Sequence, residues 1–125
     1  PARALEFLDA GIAMFERDTR RKAFGEGALW YAKRGAAHAA LGDRDKADAD
    51  LRKALAADGR GWVHGRSHLE LGKLADLSGD RAAALAEYRR AVALCGGDRD
   101  PIGRDEAERL MKQPFSGTNA ARGRQ

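Results

Sequence analysis

The sequence has little from which to build a β-rich, disulfide-bonded or membrane-spanning protein. It contains one cysteine, Cys95, and three prolines in 125 residues. A single thiol excludes an internal disulfide and a cysteine-based zinc site. No apolar run approaches the roughly 20 residues that a membrane helix needs, and no apolar signal segment opens the chain. We therefore expect a cytoplasmic protein that does not insert into membranes.

Alanine and arginine dominate the composition. The chain has 26 alanines, and it has 17 arginines against 6 lysines. Alanine is the best helix former, and the β-branched residues that favour strands are scarce, so an all-α fold is predicted. The abundance of alanine and arginine is typical of bacterial proteins encoded by GC-rich genomes. The net charge of +4 is too small to indicate nucleic-acid binding by itself.

Apolar spacing, capping residues and glycines divide the chain into about six helices. Asp43, Asp80 and Asp100 each stand where a side chain would cap a new helix, and Pro101 suits a first helical position. The predicted helices cover about 2–17, 28–41, 44–57, 63–77, 81–94 and 101–112. Pro114 closes the last of them, and residues 115–125 are predicted to form a flexible tail.

The middle of the chain repeats itself at an interval of 37 residues. Of the 25 positions from 35 to 59, 10 carry the same residue 37 positions later. Gly35 and Gly72 are one such pair and lie inside predicted helices, where glycine costs up to about 1 kcal/mol relative to alanine. That cost suggests that another element packs against the bare backbone there. Each unit is therefore predicted to be a helical hairpin with a tight Gly-Asp turn.

These units resemble the tetratricopeptide repeat, a helix–turn–helix of about 34 residues. The small and large residues typical of that family are Gly35, His38, Gly42, Ala47, Leu51 and Ala54 in the first unit, and Leu71, Gly72, Ala75, Gly79, Ala84, Tyr88 and Ala91 in the second. The resemblance implies a solenoid of stacked hairpins. A single domain over 1–114 would comprise an N-terminal helix (1–17), repeats at 28–58 and 62–95, and a capping helix (101–112).

No group of residues in the sequence points to catalysis or to a cofactor. There is no phosphate-binding loop, no nucleophile elbow and no Cys/His pair on neighbouring elements. His64 and His68 stand four residues apart with Glu70 close by, but a third metal ligand is not evident. We therefore predict a protein that is not an enzyme and that has neither a metal site nor a cofactor.

A basic cluster precedes the first repeat, at Arg17, Arg20, Arg21 and Lys22. It is interrupted by Asp18, and no aromatic platform for stacking bases accompanies it. A solvated loop explains the cluster, and binding to nucleic acid is not predicted.

The resemblance implies that a protein or peptide binds in a concave groove lined by the first helix of each hairpin. Carried over by position, the contacts would be Leu29 and Ala36 in the first unit, and Arg66, Leu69, Lys73 and Asp76 in the second. Small alanines would admit a partner helix or an extended peptide close to the backbone. Arg66 and Lys73 would pair with acidic groups of that partner.

A structural role stays open as the alternative. The N-terminal helix could lie on the alanine-lined surface and close the groove internally, because its apolar stripe must be buried somewhere. The domain would then self-associate, or it would pack against the rest of a larger bacterial protein.

Overall fold

The computed structural model describes residues 2–117, and all regular structure in that range is helical. The helices are α1 (Ala2–Arg17), α2 (Glu26–Ala40), α3 (Arg44–Ala56), α4 (Gly61–Leu77), α5 (Arg81–Gly97) and α6 (Pro101–Lys112). Adjacent helices pack as hairpins, which confirms the predicted all-α fold of about six helices. Within the described range, no helix has both the length and the hydrophobicity that a membrane span requires.

Three aspartates cap the helices that they precede, as the sequence predicts. Each side chain accepts a hydrogen bond from the backbone N–H of the third helical residue: Asp43 from Lys46 (3.3 Å), Asp80 from Ala83 (3.0 Å) and Asp100 from Gly103 (3.2 Å). Gly42 and Gly79 precede the first two caps with φ of +83° and +84°. Glycine adopts this left-handed conformation without steric cost, so the same tight turn recurs in both hairpins.

The mid-helix glycines lie where the two helices of each hairpin cross. Gly35 of α2 faces Leu51 of α3, and a β-carbon at Gly35 would stand 2.8 Å from Leu51 Cγ. Gly72 of α4 faces the ring of Tyr88 of α5, which a β-carbon would overlap. Leu51 and Tyr88 are both fully buried. The bare backbone of each glycine therefore permits the close approach of the two helices.

The N-terminal helix packs against α2 and against no other helix in residues 2–117. Gly11 of α1 lies against the ring of Trp30, and Phe15 of α1 lies against Gly27. Ile12 is buried at this contact. The side of α1 that faces away from α2 carries exposed residues, so α1 covers one edge of the stack.

The C-terminal helix closes the opposite end of the stack. Ala107 and Leu110 of α6 are buried in one core cluster with Tyr88 of α5. Arg81 donates hydrogen bonds to the carbonyl oxygens of Leu110 and Met111, both at 2.8 Å. These bonds satisfy carbonyls that the end of a helix leaves without intrahelical partners. The predicted tail lies outside the described residues from 118 onward.

Candidate functional site

An open groove of about 770 Å³ runs across α2, α4 and α6. Its lining includes Ala36 and Ala40 of α2, Lys73 and Leu77 of α4, Glu106 of α6, and Phe115 in the segment that follows α6. The two alanines are exposed. Because their side chains are only methyl groups, another chain can approach the backbone of α2 closely.

Lys73 lies in this groove between two carboxylates. Its Nζ is 3.2 Å from Glu70 Oε2 and 2.8 Å from Glu106 Oε2, and its side chain is 17% exposed. Burial acts to lower the pKa of Lys73, but the carboxylates of Glu70 and Glu106 outweigh it and the pKa is raised. The ammonium group therefore remains charged and is neutralised within the protein.

Asp76 is a buried junction behind the groove. Its side chain is 2% exposed and accepts hydrogen bonds from Arg81 Nη1 (3.0 Å), the Tyr88 hydroxyl (2.7 Å) and the Phe115 backbone N–H (3.0 Å). Burial, followed by this bond to Asp76, raises the pKa of Tyr88. The carboxylate thus joins α4 to α5 and to the segment after α6.

Protein-family models recognise the first hairpin. Residues 31–60 match the model of the tetratricopeptide repeat. Those residues are a tetratricopeptide repeat. The match begins inside α2, spans α3 and ends just before α4. No curated protein and no solved structure matches the chain.

A tetratricopeptide repeat domain is generally a protein-interaction module and is usually non-catalytic. The second hairpin repeats the sequence of the first at the 37-residue interval and forms the same helix–turn–helix. The groove crosses the first helix of each hairpin, which is the surface that the resemblance implied.

Four of the six residues predicted for the groove lie elsewhere, and three of the four are on α4. Leu69 is 1% exposed and belongs to the core between α4, α5 and α6. Asp76 is the buried junction described above. Arg66 donates two hydrogen bonds to Asp100, at 2.5 and 2.7 Å, and so joins α4 to the start of α6. The physical reason is that α6 packs beside this part of α4, which position within a repeat does not show.

The ion pair of Arg66 and Asp100 lowers the pKa of the carboxyl group. The hydrogen bonds from Arg66 lower the pKa of Asp100 from its ordinary 3.8 to about 2. Asp100 also caps α6, so one carboxylate serves both the cap and the link to α4.

Lys73 and Ala36 are the predicted residues that the structure places in the groove together. Leu29 is half-buried on α2, seven residues before Ala36, and does not line the groove. Sequence reasoning missed Arg44, Arg109 and Phe115, which do line it. For Phe115 the signal was an aromatic residue directly after Pro114, in a stretch otherwise poor in apolar residues.

The histidines considered for metal binding have separate protein partners. His64 Nε2 is 2.9 Å from the carbonyl oxygen of Ala57, and His68 Nδ1 is 2.8 Å from Glu87 Oε1. In the range 2–117, no three His, Cys, Asp or Glu side chains are grouped so that they could hold a metal ion.

Cys95 is buried, and burial raises the pKa of its thiol to about 11. A thiol with so high a pKa is a poor nucleophile at neutral pH.

Proposed function

We propose that this domain binds a peptide or a helix of a partner protein in the groove across α2, α4 and α6. The observation that carries the proposal is the exposed alanine floor at Ala36 and Ala40, beside the apolar Leu77. A groove floored by small side chains accepts another chain at short distance, as helix-in-groove and extended-peptide recognition both require.

The charges around the groove favour a partner that carries acidic groups beside an apolar stretch. Lys73 is neutralised by Glu70 and Glu106 and contributes little to an acidic preference. Arg109 is 66% exposed and stands 3.9 Å from Glu106, so its charge is only loosely paired. Arg44 is also exposed. We therefore assign the acidic preference to Arg44 and Arg109 instead of Arg66 and Lys73.

A non-catalytic role is part of the proposal. The buried thiol of Cys95 and the hydrogen-bonded rings of His64 and His68 support it. Each of these groups is engaged within the fold.

Affinity capture from a native lysate tests the groove. The baits are the wild-type domain, the groove double variant Ala36→Arg/Ala40→Arg, and Ala93→Arg, which changes an exposed alanine of α5 outside the groove. We expect proteins that the wild type and Ala93→Arg both retain and that the double variant loses. Circular dichroism confirms that all three baits are folded. The same proteins on all three baits would refute binding in the groove.

Self-association through α1 is a second candidate, and one observation favours it. Phe7 and Met14 are 74% and 66% exposed and lie seven residues apart, on the same face of the helix. In the structure α1 does not close the groove, because Ala36 and Ala40 remain exposed. A concentration-dependent mass in light scattering that Phe7→Ser/Met14→Ser abolishes would support self-association, and a constant monomer mass would dismiss it.

A further inference from the structure

The chain itself supplies one edge of the groove. After α6 ends at Lys112, Gln113 adopts an extended conformation with φ −141° and ψ 119°. The residues from Gln113 to Gly117, which we name the C-terminal segment, then line the groove beside α4. This segment has no helical structure, in contrast to the helices that form the rest of the groove.

Phe115 contacts the groove through both its backbone and its ring. Its backbone N–H donates to Asp76 Oδ2 at 3.0 Å, and its ring packs against the core cluster of α4, α5 and α6. The Nζ of Lys73 lies 5.4 Å from the centre of the ring, within the range of a cation–π contact. Extended peptides are recognised by main-chain hydrogen bonds together with side chains held in pockets, and Phe115 shows one contact of each kind.

The acceptor for this backbone bond is positioned by other residues. Arg81 and the hydroxyl of Tyr88 both bond to the carboxylate of Asp76, and Asp76 is part of α4. Lys73 is likewise oriented by Glu70 and Glu106. Neither arrangement depends on Phe115, so both would persist if the C-terminal segment left the groove.

We infer that the C-terminal segment holds a place in the groove that an extended partner peptide takes, and that this peptide carries an aromatic residue directly after a proline. The aromatic ring of the partner replaces that of Phe115 beside Lys73, and its backbone N–H replaces that of Phe115 at Asp76. This inference rests on the proposed function and names the chemistry of the partner. It also makes the C-terminal segment a competitor for the partner.

The C-terminal segment competes strongly because it is tethered to α6. Phe115 lies three residues beyond the end of α6, and a short tether gives a high effective concentration. An external peptide binds only to the fraction of molecules whose segment is displaced, so its apparent affinity falls by that fraction. Removing the Phe115 ring weakens the internal competitor and leaves the groove residues of α2, α4 and α6 unchanged.

Fluorescence anisotropy with a defined probe tests the inference. The probe is a fluorescein-labelled peptide with the sequence of residues 112–117, Lys-Gln-Pro-Phe-Ser-Gly. It is titrated with the full chain as wild type, as Phe115→Ala, and as the control Phe24→Ala, which removes a ring that is 71% exposed. We expect Phe115→Ala to bind the probe about tenfold more tightly than the other two chains do. A second probe, with alanine in place of phenylalanine, should not bind. Equal affinity for all three chains, or no binding to folded Phe115→Ala, would overturn the inference.

A second measurement keeps Phe115 in place. Ser116 is exposed, and in the variant Ser116→Cys the introduced thiol takes an environment-sensitive dye while the buried Cys95 does not react. Saturating probe should shift the emission of this dye as the segment is displaced, and an unchanged spectrum would contradict displacement. Suppose that the dye emission does not shift and that Phe115→Ala binds the probe no more tightly than the wild type. If capture of partner proteins still depends on Ala36 and Ala40, only this inference is refuted. Loss of that dependence would remove the proposed function as well.

Discussion

At the crossing of α2 and α3 the residue over the helical glycine is Leu51, whereas at the crossing of α4 and α5 it is Tyr88. Both side chains are fully buried. Leucine completes its contact with hydrocarbon alone, but the hydroxyl of a buried tyrosine needs a hydrogen-bond partner, and Asp76 accepts its hydrogen bond at 2.7 Å. The same repeat position therefore supplies packing in the first hairpin, and packing plus a polar link in the second.

The polar link extends beyond the second hairpin. Asp76 also binds Arg81, and Arg81 holds the carbonyl oxygens at the end of α6. Likewise, the pair of Arg66 and Asp100 joins α4 to α6, while the positions 37 residues earlier hold the apolar Leu29 and Val63. The comparison teaches that ionised groups join the second hairpin to the C-terminal helix, whereas Arg34 of the first hairpin pairs with Asp50 inside that hairpin and with Asp9 of α1.

The largest expected difference between the hairpins concerns their buried carboxylates. Asp76→Ala should lower the free energy of unfolding by about 2–4 kcal/mol, because it leaves the buried hydroxyl of Tyr88 without an acceptor and the partly exposed Arg81 without its carboxylate. Asp50→Ala should fall near the lower end of that range, since its partner Arg34 keeps a second carboxylate, Asp9, at 3.2 Å. Urea denaturation of both variants measures the difference. A larger loss for Asp50→Ala would break the comparison.

The crossing glycines should give the next largest effect. In Gly72→Ala the new methyl group overlaps the rigid ring of Tyr88, so we expect a loss of about 1–3 kcal/mol from overpacking. In Gly35→Ala the new methyl group meets Leu51 at 2.8 Å and the carbonyl oxygen of Ala47 at 3.3 Å, which is a less severe overlap, and the gain in helix propensity of about 1 kcal/mol offsets part of it. Gly97→Ala, with no heavy atom within 4 Å of the added carbon, is the matched control. Thermal unfolding that ranks Gly35→Ala as the more damaging change would contradict this account.

The smallest expected effect is a difference in acid stability. The pKa of Asp100 is lowered to about 2 in the folded protein, from an ordinary 3.8. A carboxylate with a lowered pKa stabilises the fold above its unfolded pKa and loses that contribution as the pH falls through the folded value. The contribution of Asp100 is therefore present above about pH 4 and is lost toward pH 2.

Asp100→Asn tests that contribution. Its urea midpoint should depend less steeply on pH between about 4 and 2 than that of the wild type. The positions 37 residues earlier hold Leu29 and Val63, which do not titrate. An identical acid dependence in Asp100→Asn and the wild type would show that the pair with Arg66 contributes nothing.

Local rules predicted the helices well and the groove only in part. Asp43 and Asp80 determine where helices begin through a bond to a backbone group three residues away, so a short stretch of sequence suffices to predict them. Ala36 and Lys73 were placed in the groove by their position within a repeat. Leu69 was placed there by the same logic and is instead buried, because position within a repeat does not tell which helix packs over it.

By itself, the sequence determined an all-α chain of two similar hairpins between flanking helices. That information is contained in capping residues and glycines, which act within a turn or two of helix, and in a 37-residue repeat that a comparison of the chain with itself reveals. Only the tertiary structure decided that Arg66 pairs with Asp100, that Asp76 binds Arg81 and Tyr88, and that Phe115 returns to the groove. The bond between Phe115 and Asp76 joins residues 39 apart in the chain. Such a contact depends on where α6 packs, and no local pattern in the sequence encodes that.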